Sequence, residues 1–144
     1  MDRKNGMAVI HSISKVSNHL RRRFDAISFG PGYTAAEGRT LRFILLNREK
    51  ELYQKDIEDE YALRAATVSQ LLAKMEKDGL IVRHYDSSDS RLKRISPSET
   101  AAAFAPSVDQ SFEELEKEII DGIDEADLEV FLRVIDKMAH NIEQ

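Results

Sequence analysis

The chain has 144 residues, of which 42% are hydrophobic and 33% are charged, and it carries a formal net charge of −5. This length and composition are typical of one globular domain, and they exclude an intrinsically disordered protein. The absence of Cys excludes disulfides, thiolate nucleophiles and cysteine-based redox sensing. No apolar run approaches the ~20 residues that a membrane span needs, and the N-terminal residues lack the apolar core of a signal peptide. We therefore expect residues 1–144 to form a single cytoplasmic domain.

A first helix is predicted over residues 7–27, where apolar side chains recur at helical spacing. It ends at the helix-breaking sequence Phe29-Gly30-Pro31-Gly32. An apolar stripe of this length near a terminus has too few partners in so short a chain unless a second copy covers it. Residues 1–30 are therefore predicted to contribute to a dimer surface through Ile10, Ile13, Val16 and Leu20.

A second helix is predicted over residues 35–47, with Thr34 as its N-terminal cap. Its apolar residues Leu41, Ile44 and Leu45 fit a mostly buried element. This helix is expected to lie behind the segment that follows and to begin a lobe spanning residues 35–97.

The segment from Gln54 to Ile95 contains two short helical patterns followed by a strand, a polar turn and a second strand. A tight turn at Ala62-Leu63 separates the two helices, which is the spacing of a helix-turn-helix. The second helix, residues 65–77, carries one apolar face at i, i+3, i+4, i+7 spacing. That face consists of Val68, Leu71, Leu72 and Met75. The order of elements predicts a winged helix-turn-helix within a mainly α (α+β) fold.

The opposite face of this second helix is small and polar, which suits close approach to a DNA groove. Gln70 can bond adenine bidentately, and Thr67 can reach a thymine methyl group or a phosphate. Arg64 and Lys74 are expected to contact phosphates, which position a protein without specifying sequence. The predicted DNA-binding residues here are Arg64, Ala65, Ala66, Thr67, Ser69, Gln70 and Lys74.

The hairpin that follows is the predicted wing. Asp78-Gly79 stops the helix, and strands are expected over residues 80–85 and 92–96 around a turn at residues 86–89. Asp89 and Arg91 lie two residues apart, so an extended chain directs both to one side, where the carboxylate can hold the guanidinium outward. Arg91 is predicted to enter a DNA minor groove, with Lys93 and Arg94 on the flanking backbone. The alternative is that Arg91 only closes the turn by pairing with Asp89.

Residues 98–144 are predicted to form two further helices. Ser98 begins a long helix that continues to about Gly122 and is expected to be interrupted or bent near Pro106. The last helix spans about residues 124–142 and has a wide apolar face. Its predicted dimerisation residues are Leu128, Phe131, Leu132, Ile135, Met138 and Ile142.

The charge is unevenly distributed along the chain. Residues 1–63 carry a net +2, residues 64–96 carry +3 and residues 97–144 carry −10. The acidic residues are therefore segregated away from the proposed DNA contacts, which removes the objection that a net charge of −5 raises against a polyanionic partner. The alternative is that the acidic residues of the C-terminal segment 97–144 only form the solvated face of a helix.

Several motifs, taken in order, resemble the winged-helix core of the multiple antibiotic resistance regulator (MarR) family. They are Asp56-Ile57-Glu58, Arg64-Ala65-Ala66-Thr67-Val68-Ser69, Glu76-Lys77-Asp78-Gly79-Leu80-Ile81 and Asp89-Ser90-Arg91-Leu92-Lys93. The chain departs from the family pattern at Tyr53, where a capping Ser or Thr is usual, at Ala66, where Ser is frequent, and at Pro97-Ser98, where Leu-Thr is frequent. The resemblance implies dimerisation through the terminal helices, and a small aromatic or phenolic effector.

The sequence thus predicts a homodimeric transcriptional regulator that binds double-stranded DNA at a pseudo-palindromic operator and acts as a ligand-responsive repressor. The alternative is a winged-helix protein-interaction module without DNA readout, because the acidic residues 56–60 would repel phosphate if they faced it. No catalytic constellation, metal-ligand spacing or cofactor motif is present in the sequence, so an enzyme is not expected.

Overall fold

The computed structural model describes residues 3–27, 33–85 and 93–143, with side chains from residue 8 onward. Within these ranges the helices and strands follow the order α1 (Arg3–Ala26), α2 (Ala35–Leu46), α3 (Gln54–Tyr61), α4 (Ala65–Lys77), β1 (Ile81–Tyr85), β2 (Lys93–Pro97), α5 (Glu99–Ile120) and α6 (Glu125–Ile142). The two strands form an antiparallel hairpin directly after the α3–α4 pair. The predicted winged helix-turn-helix fold is confirmed. The predicted breaker at residues 29–32 and the predicted turn at residues 86–89 lie outside the described residues.

Internal contacts divide the chain into two units, Met1–Gln110 and Ser111–Gln144. The first unit has an apolar core to which α2, α3, α4, the hairpin and the start of α5 all contribute. Its members are Leu41, Ile44, Leu45, Leu52, Ile57, Val68, Leu72, Met75, Leu80, Ile81, Ile95 and Ala101. Because burying each large apolar side chain contributes roughly 1.5–3 kcal/mol, this core fixes the helix-turn-helix in place. In the second unit, Leu115 is the one buried residue among those described.

Thr34 caps α2, as the sequence predicts. Its hydroxyl oxygen accepts the Glu37 backbone N–H at 3.2 Å, and the Glu37 carboxylate accepts the Thr34 backbone N–H at 3.1 Å. This reciprocal pair is a capping box, which satisfies two backbone donors that a helix N-terminus would otherwise leave unpaired. The position of Glu37 is consequently set by its own helix start.

Helix α3 is bounded by one local feature at its start and one at its end. The Asp56 carboxylate accepts the Tyr53 backbone N–H at 2.8 Å, so α3 is closed at its first turn although Tyr53 lacks the short hydroxyl side chain of a usual cap. At the other end, Ala62 adopts the left-handed conformation with φ 50° and ψ 45°. That conformation ends α3 and directs the chain into α4 within three residues.

The hairpin follows directly from the end of α4. Gly79 has φ +75°, a value that favours glycine, and β1 then pairs with β2 in a register that places Arg83 opposite Ile95. The Ile95 backbone N–H also donates to the Leu52 carbonyl oxygen at 2.8 Å, which joins β2 to the segment before α3. The wing is therefore attached to the lobe by backbone as well as by core side chains.

Helix α5 runs without a break from Glu99 to Ile120 and includes Pro106, so of the two predicted outcomes, an interruption or a bend, the interruption is wrong. Proline lacks a backbone N–H and its ring crowds the carbonyl of the preceding turn. The turns of this helix nevertheless continue on both sides of it. Ser98 caps α5 through its hydroxyl oxygen, which accepts the Ala101 N–H at 3.0 Å. Of the helices described, none combines the length and the apolar character needed to cross a membrane.

Candidate nucleic-acid interface

Helix α4 has a buried face and an exposed face of different character. Val68, Leu72 and Met75 have 0% exposure and belong to the core, while Leu71 is half-buried against it. The opposite face is solvent-exposed and consists of Ala66, Thr67, Ser69, Gln70, Ala73 and Lys77. The amphipathic division predicted from sequence is confirmed. The helix thus presents short and polar side chains to solvent from a rigid support.

The N-terminus of α4 is held by a residue that sequence reasoning missed. Gln54, in the first turn of α3, donates from its side-chain Nε2 to the Ala65 carbonyl oxygen at 3.1 Å. Arg64 is the N-cap residue of α4, its side chain is exposed, and its carbonyl accepts the Val68 N–H at 3.1 Å. Because Gln54 bridges the starts of both helices, the predicted contact residues Arg64 and Ala65 have a defined position relative to α3.

Lys74 is engaged in two ion pairs. Its Nζ lies 2.6 Å from Glu37 Oε1 and 2.7 Å from Asp78 Oδ2. Hydrogen bonds to Asp78 and to Glu37 raise the pKa of Lys74, and the hydrogen bond from Lys74 lowers the pKa of the Asp78 carboxyl. The i,i+4 spacing to Asp78 and the capping sequence Thr34-x-x-Glu37 are visible in the chain, but the contact between α2 and α4 is tertiary.

A second ion pair joins α4 to the wing. The Arg83 guanidinium on β1 donates to both carboxylate oxygens of Glu76, with Nη2 3.1 Å from Oε1 and Nε 3.3 Å from Oε2. This pairing lowers the pKa of the Glu76 carboxyl. Two parallel hydrogen bonds define both distance and orientation. The angle between α4 and the first wing strand is therefore restrained outside the core as well as within it.

Two residues predicted to contact the DNA backbone, Lys93 and Arg94, lie in the described part of the wing. Lys93 Nζ lies 5.1 Å from the centroid of the Tyr85 ring, and Arg94 Nη1 lies 3.7 Å from Glu51 Oε1 in an exposed ion pair. Both cations are at the surface, and exposed pairs of this kind are weak enough to exchange for a phosphate. Asp89 and Arg91 lie outside the described residues, so their placement remains a prediction.

Three of the acidic side chains on α3 have local partners. Asp56 caps the helix, Glu58 Oε2 accepts a hydrogen bond from Gln54 at 3.3 Å, and Asp59 pairs with Lys55 at 2.9 Å. Glu60 is exposed. From the sequence, the acidic residues 56–60 could face either DNA or a protein partner. In the structure, most of these side chains stabilise α3 itself.

The residues predicted to form the dimer surface are exposed or half-buried in the single chain. On α1, Ile10 is 72% exposed and Val16 is 56% exposed, with Ile13 also exposed and Leu20 half-buried. On α6, Leu132 is 62% exposed, and this helix has no buried residue. The other predicted members on α6 are exposed at Phe131 and Ile142 and half-buried at Leu128, Ile135 and Met138. Each helix therefore carries apolar surface that its own unit leaves uncovered.

Among the residues that the structure describes, no group of three or more His, Asp or Glu side chains is placed to hold a metal ion. The site contains hydrogen-bonding side chains, small side chains and cations on a preorganised helix. Side chains of this kind can form hydrogen bonds and ion pairs with a polar surface.

Comparison with known proteins extends these observations. A family model described as MarR family matches residues 32–92, which span α2 to the wing. The fold is similar to that of the transcription regulator MarR from Oenococcus oeni PSU-1, with 20% identity, a TM-score of 0.83, and coverage of 92% of this chain and 98% of the other.

Two of the similar structures are complexes with DNA. The S. aureus MepR–DNA complex has 23% identity and a TM-score of 0.82, with 92% of this chain and 96% of MepR covered. A MarR family transcriptional regulator from Listeria monocytogenes, complexed with a 26mer DNA, has 18% identity and a TM-score of 0.82, with 93% and 88% covered. At these identities the likeness establishes the fold.

Proposed function

Because residues 32–92 match the MarR family model and the chain has the fold of MarR-family regulators, we propose that this protein is a homodimeric transcriptional regulator that binds double-stranded DNA. The observation that carries the proposal is the exposed small and polar face of α4, supported from behind by fully buried Val68, Leu72 and Met75. We place the protein in the cytoplasm, where such regulators meet their operators.

The chemistry of α4 suits the major groove of B-DNA. That groove is about 12 Å wide and admits an α-helix, and each base pair presents a distinct pattern of donors and acceptors in it. Ala66 and Ala73 allow the helix backbone to come close, while Gln70 and Thr67 supply hydrogen bonds. Lys93 and Arg94 on β2 are placed on the hairpin that follows, and they would contact the flanking phosphates.

The homodimer is supported by apolar surface on two helices. Ile10 and Val16 on α1, and Leu132 and Ile142 on α6, are more than half exposed in the single chain. A second copy that covered these side chains would bring two winged lobes into two-fold symmetry. Such a dimer would read a pseudo-palindrome whose half-sites lie about 10 bp apart.

Repression and ligand response are proposed from the family. A dimer that occupies an operator blocks access to the DNA that it covers, which is the simplest way for a winged-helix regulator to act. A small aromatic or phenolic effector is expected to shift the dimer between conformations of different DNA affinity. Titration of the DNA complex with a panel of aromatic acids would test this expectation.

The test of DNA binding begins with selection of a duplex from a random library, followed by affinity measurements at several salt concentrations. We expect a steep decrease in affinity with salt, because neutralised phosphates release counterions. Ala66→Glu should abolish DNA binding by placing a carboxylate against phosphate. Ala103→Glu, the same change at an exposed position of α5, should leave DNA binding intact. Absence of selectable, salt-dependent duplex binding would refute the proposal in favour of a protein-interaction module.

A further inference from the structure

We propose that Lys74 is a positioning residue for DNA binding, which holds the recognition helix α4 against the start of α2 through the buried carboxylate of Glu37, and that it is not a phosphate contact. The inference rests on the proposed function and deepens it. The juxtaposition that carries it is an ammonium group on the recognition helix 2.6 Å from a carboxylate oxygen with 0% exposure.

The Glu37 carboxylate is the centre of a small polar cluster. Its Oε1 accepts the Thr34 backbone N–H at 3.1 Å and the Thr34 hydroxyl at 3.2 Å, in addition to the Lys74 ammonium. Its Oε2 is buried and has no hydrogen-bond partner among the described residues. One oxygen atom therefore connects the start of α2 to the third turn of α4.

Burial decides which role of Lys74 is favoured. A carboxylate removed from water is strongly disfavoured unless a cation compensates it, and Lys74 supplies that cation. The Lys74 side chain is 47% exposed and that of Glu37 is 0% exposed, so transfer of the ammonium to a DNA phosphate would leave a buried carboxylate without its cation. The phosphate contact that the sequence suggests for Lys74 is therefore opposed by the desolvation of Glu37.

The pair acts on DNA binding through the direction of the exposed face of α4. Gln70 lies four residues before Lys74 and is thus its neighbour on the same side of the helix. When the ammonium of Lys74 is held by α2, rotation of α4 about its axis is restrained. Loss of the pair should therefore change where Gln70 points without removing any group from the contact surface.

The two roles predict opposite results for Glu37→Gln. The amide oxygen of Gln can still accept from Thr34, so the cap of α2 is retained while the ion pair is lost. For a positioning role, we expect binding of the selected duplex to weaken about 3- to 30-fold, the range typical of coupled residues in one network, with an unchanged salt slope. For a phosphate-contact role, Lys74 would keep only its pair with Asp78 and would be more available to a phosphate, so binding should strengthen and the slope steepen by about one. That second result would overturn the inference.

Lys74→Met provides an independent measurement if Glu37→Gln is poorly folded. We expect it to weaken binding without changing the salt slope and to relax base preference at the positions that Gln70 reads, and we expect the double variant to be no weaker than either single variant. Lys77→Met is the matched control, since it removes one exposed positive charge from the same helix. A slope lowered by about one in Lys74→Met, with base preference unchanged, would overturn the inference. If the parent protein itself binds no duplex, the proposed function fails, and the inference fails with it.

Discussion

Arg83 on β1 and Glu76 on α4 form a bidentate ion pair, with both guanidinium–carboxylate distances at 3.1–3.3 Å. The pair lies where the recognition helix meets the first strand of the wing. The Arg83 side chain is 18% exposed and that of Glu76 is 45% exposed, so solvent screens the interaction only in part. The pair therefore restrains an angle on which simultaneous contact of α4 and the wing with DNA would depend.

Removal of this pair should lower stability in a pH-dependent way. Because Arg83 lowers the pKa of Glu76 below the ordinary value of 4.5, the pair stabilises the folded state fully above that value and progressively less as the pH falls through the lowered pKa. We expect Arg83→Met to reduce the free energy of unfolding by about 0–1 kcal/mol near neutral pH, discounted for exposure. In urea unfolding, the difference from the parent should decrease as the pH falls through the lowered pKa of Glu76.

The control for this measurement is Arg94→Met, which removes the looser and more exposed pair with Glu51. It should change stability less than Arg83→Met at neutral pH. A deficit in Arg83→Met that is equally large at acid and neutral pH would mean that lost packing, and not the charge pair, is responsible.

Gln70 and Thr67 should determine base preference. Each is exposed on α4, and each is expected to contribute about 1–3 kcal/mol of discrimination at one or two positions per half-site. Duplex selection repeated with Gln70→Ala and Thr67→Ala should return relaxed sequences at different positions. If Gln70→Ala selects the parental sequence, Gln70 does not read a base.

Charging the apolar face of α6 should abolish dimerisation and DNA binding together. Leu132, which is 62% exposed in the single chain, is replaced by a carboxylate in Leu132→Glu. Ile135→Glu introduces a second carboxylate variant on the same apolar face. Sedimentation should show monomers for both variants and dimers for Lys137→Glu, a charge change elsewhere on this helix. A well-folded parental monomer at micromolar concentration would contradict the proposed assembly.

Arg91 is predicted from the sequence to bind a minor groove beside the site of α4. Arg91→Ala should leave melting and dimerisation nearly unchanged, weaken binding to the selected duplex by about 1–3 kcal/mol and lower the salt slope by about one. Asp89→Ala should give a milder form of the same effect. Duplexes with A·T and G·C flanks provide the measurement, and equal affinity of parent and Arg91→Ala for both would show that Arg91 only closes the turn.

Ala62 offers a test of the turn itself. A residue with a Cβ is disfavoured at φ 50°, so Ala62→Gly should stabilise the protein by about 0.5–1 kcal/mol in urea unfolding. Gly79→Ala is the reciprocal control at φ +75°, where an added Cβ meets nothing within 4 Å, so only backbone strain should destabilise it, by about 1 kcal/mol. Destabilisation by Ala62→Gly would show that the flexibility of glycine in the unfolded chain outweighs the relieved strain.

The local features of the fold could be predicted because they are written in short-range sequence patterns. The division of α4 into two faces follows from the spacing of Val68, Leu72 and Met75, and the start of α2 follows from Thr34. Pro106 does not interrupt α5, because the helix-forming residues on both sides of it outweigh one lost backbone hydrogen bond.

The partners of charged residues could not be predicted in the same way. Lys74 has the exposure and position of a phosphate contact, and its pairing with Glu37, 37 residues away in the chain, depends on the packing of α2 against α4. Gln54 is similar, since its hydrogen bond to the Ala65 carbonyl exists only once the α3–α4 turn has formed. A side chain's spacing gives its face, whereas its partner depends on tertiary structure.

Ser98 connects the end of α4 to the start of α5 through two hydrogen bonds. Its hydroxyl donates to the Gly79 carbonyl at 2.6 Å, and its backbone N–H donates to the Leu80 carbonyl at 3.0 Å. The residues after α4 and the residue before α5 are therefore joined by direct hydrogen bonds, although the two strands lie between them in the chain. The path from the end of α4 to the start of α5 is therefore set by these two hydrogen bonds, and changes in the chain between β1 and β2 would not lengthen it.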